Sequence, residues 1–342
     1  SAPSTNYASQ FFANTSSSIM QLRNTANNAH VNLFTLAGGP AFSADGTINS
    51  VNIGKGANSV SGNTALGEAA LDASVTGGNN TALGHFSLSA NTSGQQNVAV
   101  GALCLDANTT GSQNTACGEG ALSANTSADN NTAVGFQALE VNTTGANNVA
   151  VGSLSLTSNS TGAQNVAVGR EALDANTTAN NNSAVGDSAL GSNTTGANNT
   201  SLGAAALFSN TTASNNTAVG KDALQLNTTG TQNTSVGALS LDANTTGSQN
   251  TACGEGALSS NTTASNNVGI GFQALVENTT GSECTAVGTN ALDANTTATN
   301  NTAVGYLALT STQTGASNTA VGRSSLANNT ASNNTAVGNS AM

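Results

Sequence analysis

The chain has no tryptophan, two prolines and few charges: 6% of its 342 residues are charged and 3% are aromatic. Ordinary globular domains are about a quarter charged, so a conventional core of large side chains under a charged surface is excluded. Only Arg23, Lys55, Arg170, Lys221 and Arg323 are basic, against sixteen acids, for a net charge of −11. Without a basic patch to neutralise phosphates, nucleic-acid binding is excluded as the main function. No run of 18 or more apolar residues could form a membrane-spanning helix. Four cysteines in so long a chain make no disulfide framework. His30 and His85 are the only histidines and lie far apart in sequence. Neither has a partner at a spacing that builds a catalytic pair, so no catalytic residue, no cofactor and no enzyme activity is expected.

What is abundant is asparagine, threonine and glycine, a composition that would suit disorder. Disorder is set aside because 37% of residues are apolar and they recur periodically. A glycine stands every 17 residues from Gly67 to Gly322, and Gly338 follows after 16. With that glycine as position 1, position 5 is leucine in every full copy from Leu71 to Leu326. Positions 4 and 16 are always small. Position 17 is Val, Leu, Ile or Cys, positions 8 to 10 usually read Asn-Thr-Thr, and position 14 is Asn except at Cys284. Charges and aromatics fall mainly at positions 2, 3, 6 and 7.

Strict columns at a fixed period mean one structural rung per repeat. Helical repeats need about 30 or more residues, so 17 predicts an all-β fold: a parallel β-solenoid of about sixteen rungs. "NTAVG" supplies a short strand and the Asn, Thr and Gly residues supply corners. Alternation along the strand suggests that positions 15 and 17 face inward with Leu at position 5. On that reading Cys117 and Cys253, both at position 17 in the twice-occurring "NTACGEGAL", are small core residues. Position 16 would then face outward, and its strict smallness points either to close packing by another chain or to a sterically tight corner. The Asn columns at 8 and 14 are natural amide ladders. At about 4.8 Å per rung the rod is roughly 77 Å long.

The segments "NTALGEAAL" (63–71), "NTAVGFQAL" (131–139), "NTAVGKDAL" (216–224) and "NTAVGYLAL" (301–309) resemble the 17-residue NTAxGxxALxxNTTG repeats of bacterial and phage tail-fibre-like proteins. More distantly they resemble the SVAIGxxA repeat of trimeric autotransporter adhesin heads. The resemblance covers residues 63–342. It implies a left-handed roll, a homotrimer and a fibre role. The expected localisation is extracellular or on a virion surface.

Residues 51–342 are read as the solenoid rod. Residues 1–50 form an N-terminal cap, an attachment segment or a donated strand, with strands expected at 18–23 and 30–42. The chain ends inside a rung, at "TAVGNSAM" (335–342). This suggests either a longer or processed mature protein, or an end covered by another subunit's N-terminal segment. Acids at position 6 recur every 34 residues at Asp72, Asp106, Glu140, Asp174 and Asp242, skipping Phe208, which puts them on alternate rungs at least roughly 10 Å apart. That is too far to share a Ca²⁺, which takes oxygens at about 2.4 Å, so no metal site is expected. Asn-x-Ser/Thr occurs in nearly every rung, as at Asn108, Asn142 and Asn176, and is attributed to turn formation rather than glycosylation.

The reading is therefore a structural fibre serving adhesion or receptor reach. A filament polymerising end to end through the N-terminal segment and an ice-binding solenoid are the alternatives. A host-surface receptor or glycan is a possible partner in the fibre reading.

Overall fold

A computed structural model describes the backbone of residues 11–14, 19–24, 29–35 and 46–48 and the whole of residues 51–342. Strands β1 (Phe11–Asn14), β2 (Ile19–Asn24) and β3 (Ala29–Thr35) form an antiparallel sheet in that order. The strand expected at 18–23 overlaps β2, and the first part of the one expected at 30–42 overlaps β3. Residues 18 and 36–42 lie outside the described residues. Strand β4 (Gly46–Ile48) pairs antiparallel with β5 (Val51–Gly54), and β5 pairs antiparallel with β6 (Thr64–Gly67). A short 3-10 turn at Ala57–Ser59 joins β5 to β6.

From β6 the chain is a parallel β-solenoid. Sixteen further three-residue strands follow, one per rung, from β7 (Thr81–Leu83) to β22 (Thr335–Val337). Each pairs in parallel with the equivalent residues of the next, as Thr81 with Val98 and Ala82 with Ala99. The register step is 17 residues up to Thr319, which pairs with Thr335 in the one shorter rung. The expected fold class, an all-β parallel solenoid of about sixteen turns, is the observed one.

The inward faces differ from the expectation. Position 16, as at Ala82, Ala116 and Ala184, is fully buried, whereas positions 15 and 17 face outward. Cys117 and Cys253 are exposed, not core residues. The cause is the thinness of the coil. A Cβ at Gly269, a position-16 glycine, would lie 3.2 Å from Cδ1 of Leu258 in its own rung. Alanine fills that gap, and a valine would collide with the leucine. Smallness at position 16 is therefore a packing requirement inside one chain. Packing by another chain does not explain it.

The core is one leucine thick. Leu71, Leu88 and their counterparts through Leu309 are fully buried, and Leu326 nearly so. Each holds φ between +49° and +57°, a left-handed conformation unusual for leucine. Such a conformation costs roughly 1–2 kcal/mol, while burying a leucine side chain contributes about 1.5–3 kcal/mol. Burial wins, and the turn it forces carries the leucine across the interior to the alanine column. Position 1 must be glycine for a different reason. At Gly169 φ is +137°, and a Cβ would fall 2.3 Å from the carbonyl oxygen of Gly186 one rung on.

Two asparagine columns join the rungs. At position 8 each amide Nδ2 donates to Oδ1 of the preceding rung's asparagine, continuously from Asn91 to Asn295, at 2.8–3.2 Å. Each also donates to the position-11 carbonyl of its own rung, as Asn142 to Gly145 O at 3.0 Å. At position 14 the backbone N–H donates to Oδ1 one rung back, as Asn131 to Asn114 at 3.0 Å, while Nδ2 donates forward to Gly145 O at 2.9 Å. These buried amides meet their hydrogen-bonding demand inside the coil.

Candidate functional site

The rung presents distinct surfaces. One is the outward face of the parallel ladder β6–β22, where alternation places position 15 beside position 17 on every strand. Position 15 is Thr, Val or Ser, and position 17 is Val, Leu, Ile or Cys. Neither position is charged in any of the seventeen strands. Leu83, Leu202 and Ile270 are among the exposed large apolar residues of this face, with Leu202 48% exposed. Cys117 and Cys253 stand in the same column.

A second surface carries the charges and aromatics at positions 2, 3 and 6. Here neighbours interact from rung to rung. Arg170 Nε lies 2.8 Å from Asp187 Oδ1, and its Nη1 lies 2.6 Å from Glu171 Oε1. The Arg323 guanidinium stands 5.7 Å from the Tyr306 ring centre. His85 Nε2 lies 3.9 Å from Glu68 Oε2 and packs edge-on against Phe86. His30 lies in β3. The ring of Phe208 lies over Gly191, where a Cβ would meet it at 3.2 Å.

Two shallow hollows open on this surface. One of about 270 Å³ is lined by Asp106, Glu119, Phe136, Gln137 and Glu140, with Gln137 Nε2 donating to Glu140 Oε1 at 2.9 Å. Another of about 300 Å³ is lined by Glu171, Asp174, Ser188 and Phe208. Desolvation raises the carboxyl pKa of Asp106, Asp174 and Asp242 above the usual carboxylate value. Asp106 and Asp242 each keep one buried carboxylate oxygen with no hydrogen-bond partner among the described residues. Among the described residues no cluster of three His, Cys, Asp or Glu side chains is placed to hold a metal ion. In the second hollow Ser188 Oγ donates to Glu171 Oε2 at 3.4 Å.

The remaining cysteines are structural. Cys104, at position 4, and Cys284, at position 14, are buried, and burial pushes both thiols up to about 11. Cys284 replaces an asparagine and partly copies its bonding. Its backbone N–H donates to Asn267 Oδ1 at 2.9 Å, and its thiol lies 3.3 Å from Ala298 O, the position-11 carbonyl one rung on. The sequon asparagines Asn108, Asn142 and Asn176 are fully buried, so the folded coil hides their amides. At position 9 the threonine hydroxyls also serve the ladder, as Thr109 Oγ1 donates to Thr126 O at 2.9 Å.

Sequence reasoning found these columns but assigned the ladder's two faces the wrong way round, and so missed the uncharged apolar face. Its signal was present: an unbroken absence of charge at positions 15 and 17. The chain matches no protein-family model, no curated protein and no solved structure.

Proposed function

We propose that the protein is a structural fibre subunit, a stiff extracellular or virion rod for adhesion or receptor reach that works as a self-associated assembly. The observation that carries this reading is the unbroken backbone ladder from β6 to β22. Backbone ladder, leucine column and two asparagine columns all run along one axis. Repeat arrays of this kind derive their stability from nearest-neighbour interfaces. The resemblance to tail-fibre-like and adhesin-head repeats supports the same role.

Negative-stain imaging of the purified chain tests it. Straight particles at least roughly 77 Å long are expected, and flexible or compact particles would overturn the rod. Particles whose length grows with concentration would instead favour the filament polymerising through residues 1–50.

A further inference from the structure

The outward face of β6–β22 is an uncharged face with an apolar column that the fold of one chain leaves uncovered among the described residues. We infer that it is covered by the same face of a second copy of this chain, lying alongside the rod. This deepens the self-associated rod proposed above and rests on it.

Charge, period and area all bear on the occupant. The chain carries a net charge of −11, yet the face carries no charged residue at position 15 or 17. A partner recognised through ion pairs finds nothing there, whereas two like-charged copies can meet on it without bringing their acids together. Side chains on the face repeat once per rung, about every 4.8 Å, over seventeen strands. A partner in contact along the whole length must share that repeat, and a second copy has it by construction. The ladder is roughly 80 Å long and its three-residue strands about 10 Å wide. Pairing therefore buries about 800 Å² on each copy, the standard size of a specific interface. Position 17 is apolar in every strand and position 15 carries a Thr or Ser hydroxyl in thirteen of the seventeen, so a continuous apolar strip lies beside a hydroxyl column.

The protein carries its own reporters. Cys117 and Cys253 lie on the face and are exposed in a single chain, whereas Cys104 and Cys284 are buried inside the coil. The experiment combines native mass by sedimentation with labelling by a water-soluble maleimide. The expected result is a mass at a multiple of 33.1 kDa, with Cys117 and Cys253 labelling at least tenfold more slowly than in a face variant. That variant joins Leu202→Lys with Ile270→Lys, at positions 48% and 39% exposed. It should sediment as a single chain and label Cys117 and Cys253 freely, while unlabelled Cys104 and Cys284 report an intact coil. Phe136→Lys, on the other surface, should leave the mass unchanged.

A native single chain with freely reactive Cys117 and Cys253 overturns the inference. If that chain is still a straight rod, the rod reading survives; if it is compact or flexible, both fall. An assembly that persists in the double-lysine variant also overturns the inference, because another surface then holds it. So does a single chain that produces thermal hysteresis, because the face then meets ice. Should the lysines unfold the coil, seen as labelling of Cys104 and Cys284, Val185→Thr with Leu202→Thr replaces them. A weakened association is then expected, and an unchanged one overturns the inference.

Discussion

Asn210 Oδ1 accepts at 3.0 Å from Nδ2 of Asn227, one rung above, and Asn210 Nδ2 donates at 2.9 Å to Oδ1 of Asn193, one rung below. It also donates to Ala213 O within its own rung at 3.0 Å. Asn210→Ala removes all three bonds and leaves a buried donor on Asn227 and a buried acceptor on Asn193. Each orphaned buried group costs about 1–3 kcal/mol. A loss of about 2–5 kcal/mol is expected in denaturant unfolding.

Position 14 should discriminate between replacements. Cys284 already stands there, with its thiol against a carbonyl that an asparagine amide serves in other rungs. Asn216→Cys is therefore expected to cost less than Asn216→Ala, because alanine supplies neither donor nor acceptor. Thermal melts of the two variants side by side check the order.

The orientation of the ladder predicts opposite outcomes for adjacent residues. Ala184 is fully buried and Val185 is 37% exposed. Ala184→Leu should overpack the coil and cost about 1–3 kcal/mol or more. Val185→Thr should stay within about 0.5 kcal/mol in the dissociated chain. Leu207→Ala, opposite the alanine column, should cost about 2–5 kcal/mol.

Glycines differ by column. Gly169→Ala drives a Cβ to 2.3 Å from the next rung's carbonyl oxygen, and a loss of about 3 kcal/mol or more is expected from strain and clash. Gly120 lies at position 3 with φ +69°, and its Cβ site is 3.4 Å from Gln137 Cγ. Other rungs hold Gln137, Asn290 or Leu307 in the same left-handed conformation. Gly120→Asn should therefore fall within about 0.5 kcal/mol of the parent.

Asp106 and Asp242 give a pH signature. Desolvation raises both carboxyls above their ordinary value of 3.8, so the folded chain binds protons more tightly than the unfolded one. Their contribution to stability is most favourable below the unfolded pKa and is lost as pH rises through the folded one. At pH 7 Asp106→Asn and Asp242→Asn should raise the melting temperature. The gain should vanish below about pH 4. A constant gain across that range would locate the effect elsewhere.

The period, the rung and the columns were all legible in the chain, because each column obeys one steric or bonding rule. Leu71 to Leu326 announce the core, and Asn91 to Asn295 announce the amide ladder. The inward residue of "TAV" was not legible. Ordinary strands bury the larger side chain, and Thr and Val outrank Ala by that measure. Here the leucine crosses the whole interior, as the 3.2 Å approach of Leu258 Cδ1 to the Cβ site of Gly269 shows. The larger side chains are thereby pushed outside. No composition or spacing rule predicts a leucine with φ near +50° in every rung, and that turn sets how little space remains. The hollows beside Asp106 and Asp174 escaped notice for a simpler reason: they form between adjacent rungs from columns that vary in sequence.

Every rung offers its neighbours the same complementary bonds: an asparagine amide donates to the asparagine one rung back, and a threonine hydroxyl donates to a backbone carbonyl one rung on. Inserting or deleting whole rungs therefore creates no new type of junction. The chain records such an edit. "NTACGEGAL" recurs after 136 residues, eight periods on, with "LDANTTGSQ" before both copies. Length in this molecule is a quantity that recombination can adjust in units of about 4.8 Å, like marks on a ruler, with the chemistry of every mark left unchanged.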